Sequence, residues 1–276
     1  MTITEWLKQD IIRVYLSPFI STLKVLQGKG RENGMKDKIE QLLLENGASA
    51  VGFARLEGLY ASIEDGPQSV DSVEGSIEVP AYPIGISILL AFEKDIIKNI
   101  SNYPTMDYYD GYYRLNNKLD ELAIKCAEYI KKQGYNAYPQ TVTSSKEYGN
   151  FRTVMPHKTV AVNAGLGWIG KSALFITEKY GSAVRLTSVL TDAPLEYNSS
   201  ILQSKCGSCM RCKDACPGKA ISGRGWSPEL DRDEYFNAAA CRKKAREIAA
   251  KSIDKVITLC GKCIEVCPYT RKYTRT

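Results

Sequence analysis

The sequence predicts an α+β fold followed by a small double-cluster domain, and three observations carry that expectation. Helical and strand patterns alternate irregularly up to about residue 200, without the regular strand-helix repeat of a parallel sheet. Eight of the nine cysteines then follow in runs with iron-sulfur spacing. The charge divides at the same place: from Lys205 onward 16 Lys/Arg face 8 Asp/Glu, a net of +8 against −2 for the remainder. At roughly 100 to 200 residues per domain, 276 residues accommodate a larger and a smaller unit. The expected division is an N-terminal helical extension over 1–34, an α+β cofactor domain over 35–200 and a ferredoxin-like domain over 201–276.

Composition excludes several classes. With 44% hydrophobic and 25% charged residues the chain reads as globular. Its longest apolar run, Ile84 to Phe92, falls short of the roughly 18 residues that cross a bilayer, so no membrane partner is expected. Glu5, Lys8, Asp10 and Arg13 interrupt the N-terminus, which lacks the apolar core of a secretory signal. The expected location is the cytoplasm, where thiols bind metal more often than they form disulfides. With His157 as the only histidine, a mixed Cys/His zinc site has almost nothing to draw on. The basic C-terminal end suits nucleic acid, an acidic redox partner or compensation of anionic clusters, the last being preferred.

The elements follow in order. Trp6, Leu7, Ile11, Val14 and Tyr15, then Phe19, Ile20, Leu23 and Leu26, keep a helical period around Pro18, and Gly28 to Gly34 reads as a loop. A helix over Met35–Glu45 stops at Asn46-Gly47, and a strand follows over Ala50–Ala54. Gly58–Pro83 reads as a long surface loop, and Ile84–Phe92 has the content of a central strand. The tyrosine-rich Tyr103–Tyr113 leads into a helix over Leu115–Gln133, whose apolar face includes Cys126; that thiol is expected to be structural. Tyr135–Val142 predicts the next strand, Val160–Gly170 a glycine-rich turn, and Ala173–Ile176 and Ala183–Leu190 further strands.

The cysteine spacing is the strongest signal. Cys206, Cys209, Cys212 and Cys216-Pro217 form C-x2-C-x2-C-x3-C-P, the bacterial ferredoxin run whose fourth cysteine ligates the other cluster. Cys260, Cys263 and Cys267-Pro268 repeat the ending one cysteine short, and Cys241 supplies the missing thiolate. The simplest wiring holds one [4Fe-4S] cluster on Cys206, Cys209, Cys212 and Cys267 and the other on Cys216, Cys241, Cys260 and Cys263. Two all-cysteine zinc sites are the alternative, but they have no need of the x3-Cys-Pro ending.

Gly165, Gly167 and Gly170 match G-x-G-x-x-G in spacing, but no βαβ unit surrounds them, so the dinucleotide reading is weak. They suit either a backbone lying close to something large and flat, with Trp168 as a wall, or a tight structural turn. Tyr108, Tyr109, Tyr112 and Tyr113 suit a flat cofactor or simple packing.

The order AGLGWIGK, Tyr180-Gly181-Ser182, Leu190-Thr-Asp192-Ala-Pro194-Leu and then the cysteines resembles the epoxyqueuosine reductases and their relatives among the reductive dehalogenases, specifically over residues 155–268. The resemblance implies a nitroreductase-like domain holding cobalamin beside two [4Fe-4S] clusters. Gly165, Gly167, Trp168, Gly170, Lys171 and Ser172 would line the cofactor, and His157 and Lys158 would donate protons. Flavin is the less favoured occupant. A low-potential donor of the ferredoxin or flavodoxin type would supply electrons to a small-molecule or corrinoid-protein acceptor. Two departures count against tRNA as substrate: Gln140–Ser145 carries no aspartate where the family has its catalytic one, and the helical-repeat extension of full-length members is not expected after Cys267.

Overall fold

The computed structural model describes residues 34–59, 82–101, 103–142 and 151–275. The expected N-terminal helices and most of the Gly58–Pro83 loop lie outside the described residues. Helix α1 (34–45) leads through Asn46-Gly47 into β1 (Ala50–Arg55). Strand β1 pairs antiparallel with β2 (Ile84–Ala91), so Ala50 faces Leu89 and Arg55 faces Ile84. β2 in turn pairs with β6 (Val184–Thr191), and β3 (Ala137–Gln140) closes the order β1-β2-β6-β3. Pro139, which has no amide hydrogen to give, sits on that edge strand.

The central strand β2 is buried on both sides because helices cover both faces of the sheet. Ile84, Ile86, Ile88 and Leu90 point into the main core with Leu115, Leu119 and Leu122 of α3 (Met106–Lys132). Leu89 points the other way, toward Ala161 and Val162 of α4 (His157–Asn163). The alternation is the period of two expected of a strand, and it gives an antiparallel α+β sandwich.

Two boundaries differ from the sequence expectation. Helix α3 begins at Met106, nine residues before the predicted Leu115, because the Thr105 side chain accepts from the Tyr108 amide and Asp107 occupies the first turn. The four tyrosines are therefore helical, with Tyr108 packed on Phe92 at 5.3 Å and Tyr112 under the Arg185 guanidinium at 4.3 Å. Their packing reading is the one this structure supports. The predicted turn over Val160–Gly170 begins as helix α4, N-capped by Pro156, and becomes irregular only from Ala164. Cys126 is 0% exposed on the core face of α3, where burial alone pushes its thiol up to about 12.

After β6 the chain enters short helices: α5 (Arg211–Asp214), a 3-10 turn (Arg232–Glu234), α6 (Ala238–Ile253), α7 (Lys262–Glu265) and α8 (Pro268–Arg275). The expected composition boundary at about 200 does not interrupt the packing. Leu259 and Ile264 join the main core, and α8 lies against α2 (Lys94–Lys98). Tyr273 donates its hydroxyl to Phe92 O at 2.7 Å, and the Ser182 amide donates to Thr270 Oγ1 at 3.0 Å. Gly181, at φ +59, permits that contact, since a Cβ there would lie 2.2 Å from Thr270 N. Among the described residues, no helix is long and apolar enough to cross a membrane.

Candidate iron-sulfur centre and adjoining cleft

The two Cys-Pro runs fold alike. Each begins with Cys-Gly at positive φ, Gly207 in the turn ahead of α5 and Gly261 as the N-cap of α7, and the two short helices pack together. Cys212 lies on α5, Cys263 on α7, and Cys267 directly precedes Pro268 of α8. Cys241 lies near the start of α6, which is capped by the Asn237 side chain accepting from Ala240 N at 2.9 Å. The thiols separate into two sets by their mutual influence. Burial first, and then Cys206, Cys209 and Cys267, push Cys212 up to about 11. Burial, then Cys216 and Cys260, push Cys241 up to about 11. Cys263 is raised by burial and then most by Cys241 and Cys260. The influence also crosses between the sets, since Cys212 raises Cys263 as well.

Cys206, Cys209, Cys212, Cys263 and Cys267 line a cavity of about 40 Å³ whose wall is completed by Lys171, Ser172, Ile176, Pro268 and Tyr269. They surround this space and do not, among the described residues, converge on a single-ion centre. A zinc ion would draw its sulfurs to about 2.3 Å from one point, whereas a cluster bound by four cysteines fits a thiol-lined cavity.

The glycine-rich segment turns toward this centre. A Cβ at Gly165 would lie 2.5 Å from Ser199 O, and one at Gly167 would lie 2.1 Å from Ile176 O, so both glycines allow close approach to the chain's own backbone. Gly170 backs the first thiols, since its Cβ would stand 3.4 Å from Cys206 Sγ. Trp168 is 0% exposed and packs with Cys267 and Tyr269, its ring centroid 4.9 Å from the tyrosine ring. It is a wall of the thiol core, with no free face for a separate flat ligand. Lys171 and Ser172 are the two residues of the predicted set that line the thiol cavity.

An open cleft of about 500 Å³ adjoins the first thiols. Lys171, Ser204, Cys206, Trp226 and Pro228 are among its lining residues. Sequence reasoning missed Trp226; the available signal was an aromatic in the otherwise polar Gly225-Trp-Ser-Pro228 stretch. The buried Ser204 hydroxyl has no hydrogen-bond partner among the described residues, an arrangement that normally marks a place for a ligand or water.

His157 and Lys158 stand on the first turn of α4, apart from both cavities' linings. His157 Nδ1 lies 3.0 Å from Ser188 Oγ, and burial, followed by the Arg185 charge, lowers the imidazole to about 4. It is neutral at pH 7, so it does not offer the imidazolium proton expected from the sequence. Lys158 donates to Ala173 O at 2.7 Å, and burial, then Arg232, lowers its ammonium to about 8, near the operating range of a general acid.

Comparison with known proteins agrees with this geometry. Residues 205–270 match the family described as 4Fe-4S double cluster binding domain. The epoxyqueuosine reductase of Lactococcus garvieae is 31% identical over 169 residues, covering 59% of this chain and 42% of that enzyme. Over 59% of its length the chain is thus similar to an epoxyqueuosine reductase. An epoxyqueuosine reductase solved with an epoxyqueuosine-modified tRNA stem loop superposes with a TM-score of 0.54 at 22% identity, covering 87% of this chain and 66% of that one. A reductive dehalogenase whose structure is described as suggesting a mechanism for B12-dependent dehalogenation gives a TM-score of 0.63 at 20% identity, covering 86% of this chain and 32% of that one. The double-cluster segment thus sits on a fold shared with both groups, and the chain spans less than half of the Lactococcus enzyme.

Proposed function

We propose that this protein is an iron-sulfur oxidoreductase that takes up low-potential electrons singly, passes them through two [4Fe-4S] clusters and delivers them to a corrinoid held in the cleft, which reduces a substrate. The observation that carries the reading is the position of Cys206, whose residue lines both the thiol cavity and the cleft. An electron on the first cluster therefore has a short exit into the space where a ligand would sit. In this reading Cys206, Cys209, Cys212 and Cys267 hold the first cluster and Cys216, Cys241, Cys260 and Cys263 the second, with a ferredoxin- or flavodoxin-type protein as donor.

The cleft residues fit a corrinoid. At about 500 Å³ the cleft lies within the range of small-molecule sites, and its open side suits a ligand larger than the cleft itself. Gln203 offers a polar group to the amides around a corrin, while Trp226, Pro228 and Leu202 offer apolar contact. When bound, the corrinoid supplies a low-potential cobalt centre for reducing an organic substrate. Of the two residues on α4, Lys158 has the pKa better matched to proton donation, but neither lines the cleft. Protein purified without oxygen from cells supplied with cobalamin should contain cobalt and show corrinoid absorbance, and Trp226→Ala should weaken cobalamin binding at least tenfold while iron stays constant. Unchanged affinity in that variant would move the site elsewhere, and flavin absorbance in place of cobalt would replace the corrinoid.

A second reading, corrinoid reduction on behalf of a partner without substrate turnover, is favoured by the neutral His157 and by a Gln140–Ser145 stretch without aspartate. Turnover of epoxyqueuosine-containing tRNA with a strong reductant and cobalamin decides between them; robust conversion excludes the second reading.

A further inference from the structure

We propose that Lys171 is the fixed counter-charge of the first cluster, a positioning residue that makes this cluster easier to reduce than the second and so draws each electron toward the cleft. The inference rests on the proposed function only in requiring that the clusters be present. Lys171 is 5% exposed, yet no carboxylate among the described residues pairs with it. Its ammonium donates to Cys209 O at 3.1 Å and lies 3.7 Å from Met210 Sδ, a carbonyl and a weak acceptor for a group with three hydrogens to give. A buried ammonium so poorly matched is costly unless an anion stands beside it. The thiol cavity it lines supplies that anion once four thiolates hold a cluster there.

The lysine beside Cys263 in the second set is placed differently. This residue, Lys262, is already paired with Glu265 at 2.9 Å, and that carboxylate also accepts from Arg271 at 2.7 Å. A cation whose charge is spent on a carboxylate stabilises added electrons less than one with none. On reduction the first cluster gains one electron and one negative charge from the donor; no bond forms or breaks, no proton moves, and Lys171 remains an ammonium. Net charge and hydrogen bonding around a cluster are the levers by which a protein sets its potential.

The test is an anaerobic redox titration followed by electron paramagnetic resonance on the full chain carrying both clusters. Lys171→Met should shift the reduction equilibrium of one cluster about tenfold toward the oxidised form, about 59 mV for one electron. The other cluster should stay in place, and Lys171→Arg should restore the original value. The shifted signal should be the one that Cys206→Ser also perturbs. Unchanged potentials in Lys171→Met, or an equal shift in Lys171→Arg, would overturn the proposal. Should Lys171→Met and Lys171→Gln lose the first cluster while Lys171→Arg keeps it, the cation is required for holding it; loss in all three makes the role one of packing and defeats the inference. Absence of [4Fe-4S] signals from the unmodified protein would instead defeat the proposed function.

Discussion

The two thiol sets arise from nearly the same local sequence, Cys-Gly-x-Cys leading to a Cys-Pro ending, yet they meet different surroundings. The first set borders an open cleft, a fully buried tryptophan and an unneutralised lysine. The second is pressed against the α+β core, where the loop at Gly261 touches Ile100 and Tyr108. Burial raises the Tyr108 hydroxyl, a sign of how dry that side is. One local motif thus meets two settings, Trp168, Lys171 and the 202–229 segment beside the first copy and Ile100 and Tyr108 beside the second.

The largest effect that probes this comparison is metal content. Cys267→Ala and Cys241→Ala should each lower iron from about eight to about four per chain, while Cys126→Ala should leave it unchanged. Equal loss of all iron in both ligand variants would make the sets one cooperative unit and break the distinction. Iron loss on removing Cys126 would contradict its place in the helical core.

A smaller effect comes from the contact beside the first set. Gly181→Val would push a branched side chain into Thr270 at a positive φ, and it should cost at least about 2 kcal/mol in chemical denaturation. Because Thr270 follows Cys267 by three residues, the first cluster's signal should broaden and the second should not. A variant as stable as the parent would show that the α8 contact contributes little.

The smallest effect is a control outside both sets. His157 has a folded pKa near 4, below its ordinary 6.5, so the unfolded chain binds the extra proton between these values. Stability should therefore fall as pH drops from 6.5 to 4, by no more than about 3 kcal/mol and by less given partial exposure, then level off. In His157→Gln this segment of the pH profile should flatten, with iron content unaffected. A pH-dependent loss that persisted in the variant would assign the acid limb to the thiol sets.

Much of this arrangement was legible in the sequence. The cysteine runs could be sorted into two sets because each Cys-Pro ending carries its chain away from its own turn, a constraint local enough to survive without coordinates. The central strand Ile84–Ala91 was legible because burial on both faces leaves a continuous apolar run. The start of α3 was not, because Tyr-Asp-Gly-Tyr-Tyr has little helical preference and is stabilised by Phe92, Ile96 and Arg185 from other segments. The glycine run was visible, but its purpose was not: spacing reveals that a close approach is needed and says nothing of whether Ser199, Ile176 or a ligand is approached. Trp226 and Ser204 escaped notice because a cleft wall formed from distant loops has no period.

The contact between Ser182 and Thr270 has a consequence for how the molecule matures. Cys267 stands at the foot of a helix whose body is fastened to the sheet by Thr270 at the start of β6 and by Tyr273 at the end of β2. Iron that captures Cys267 fixes the end of that helix, and the helix in turn braces the strands. On the proposed wiring, assembly of the first cluster would be coupled to the stability of this seam. Amide hydrogens of residues 183–186 should exchange faster in iron-depleted protein than in the loaded form, so the sheet itself would report whether the metal has arrived.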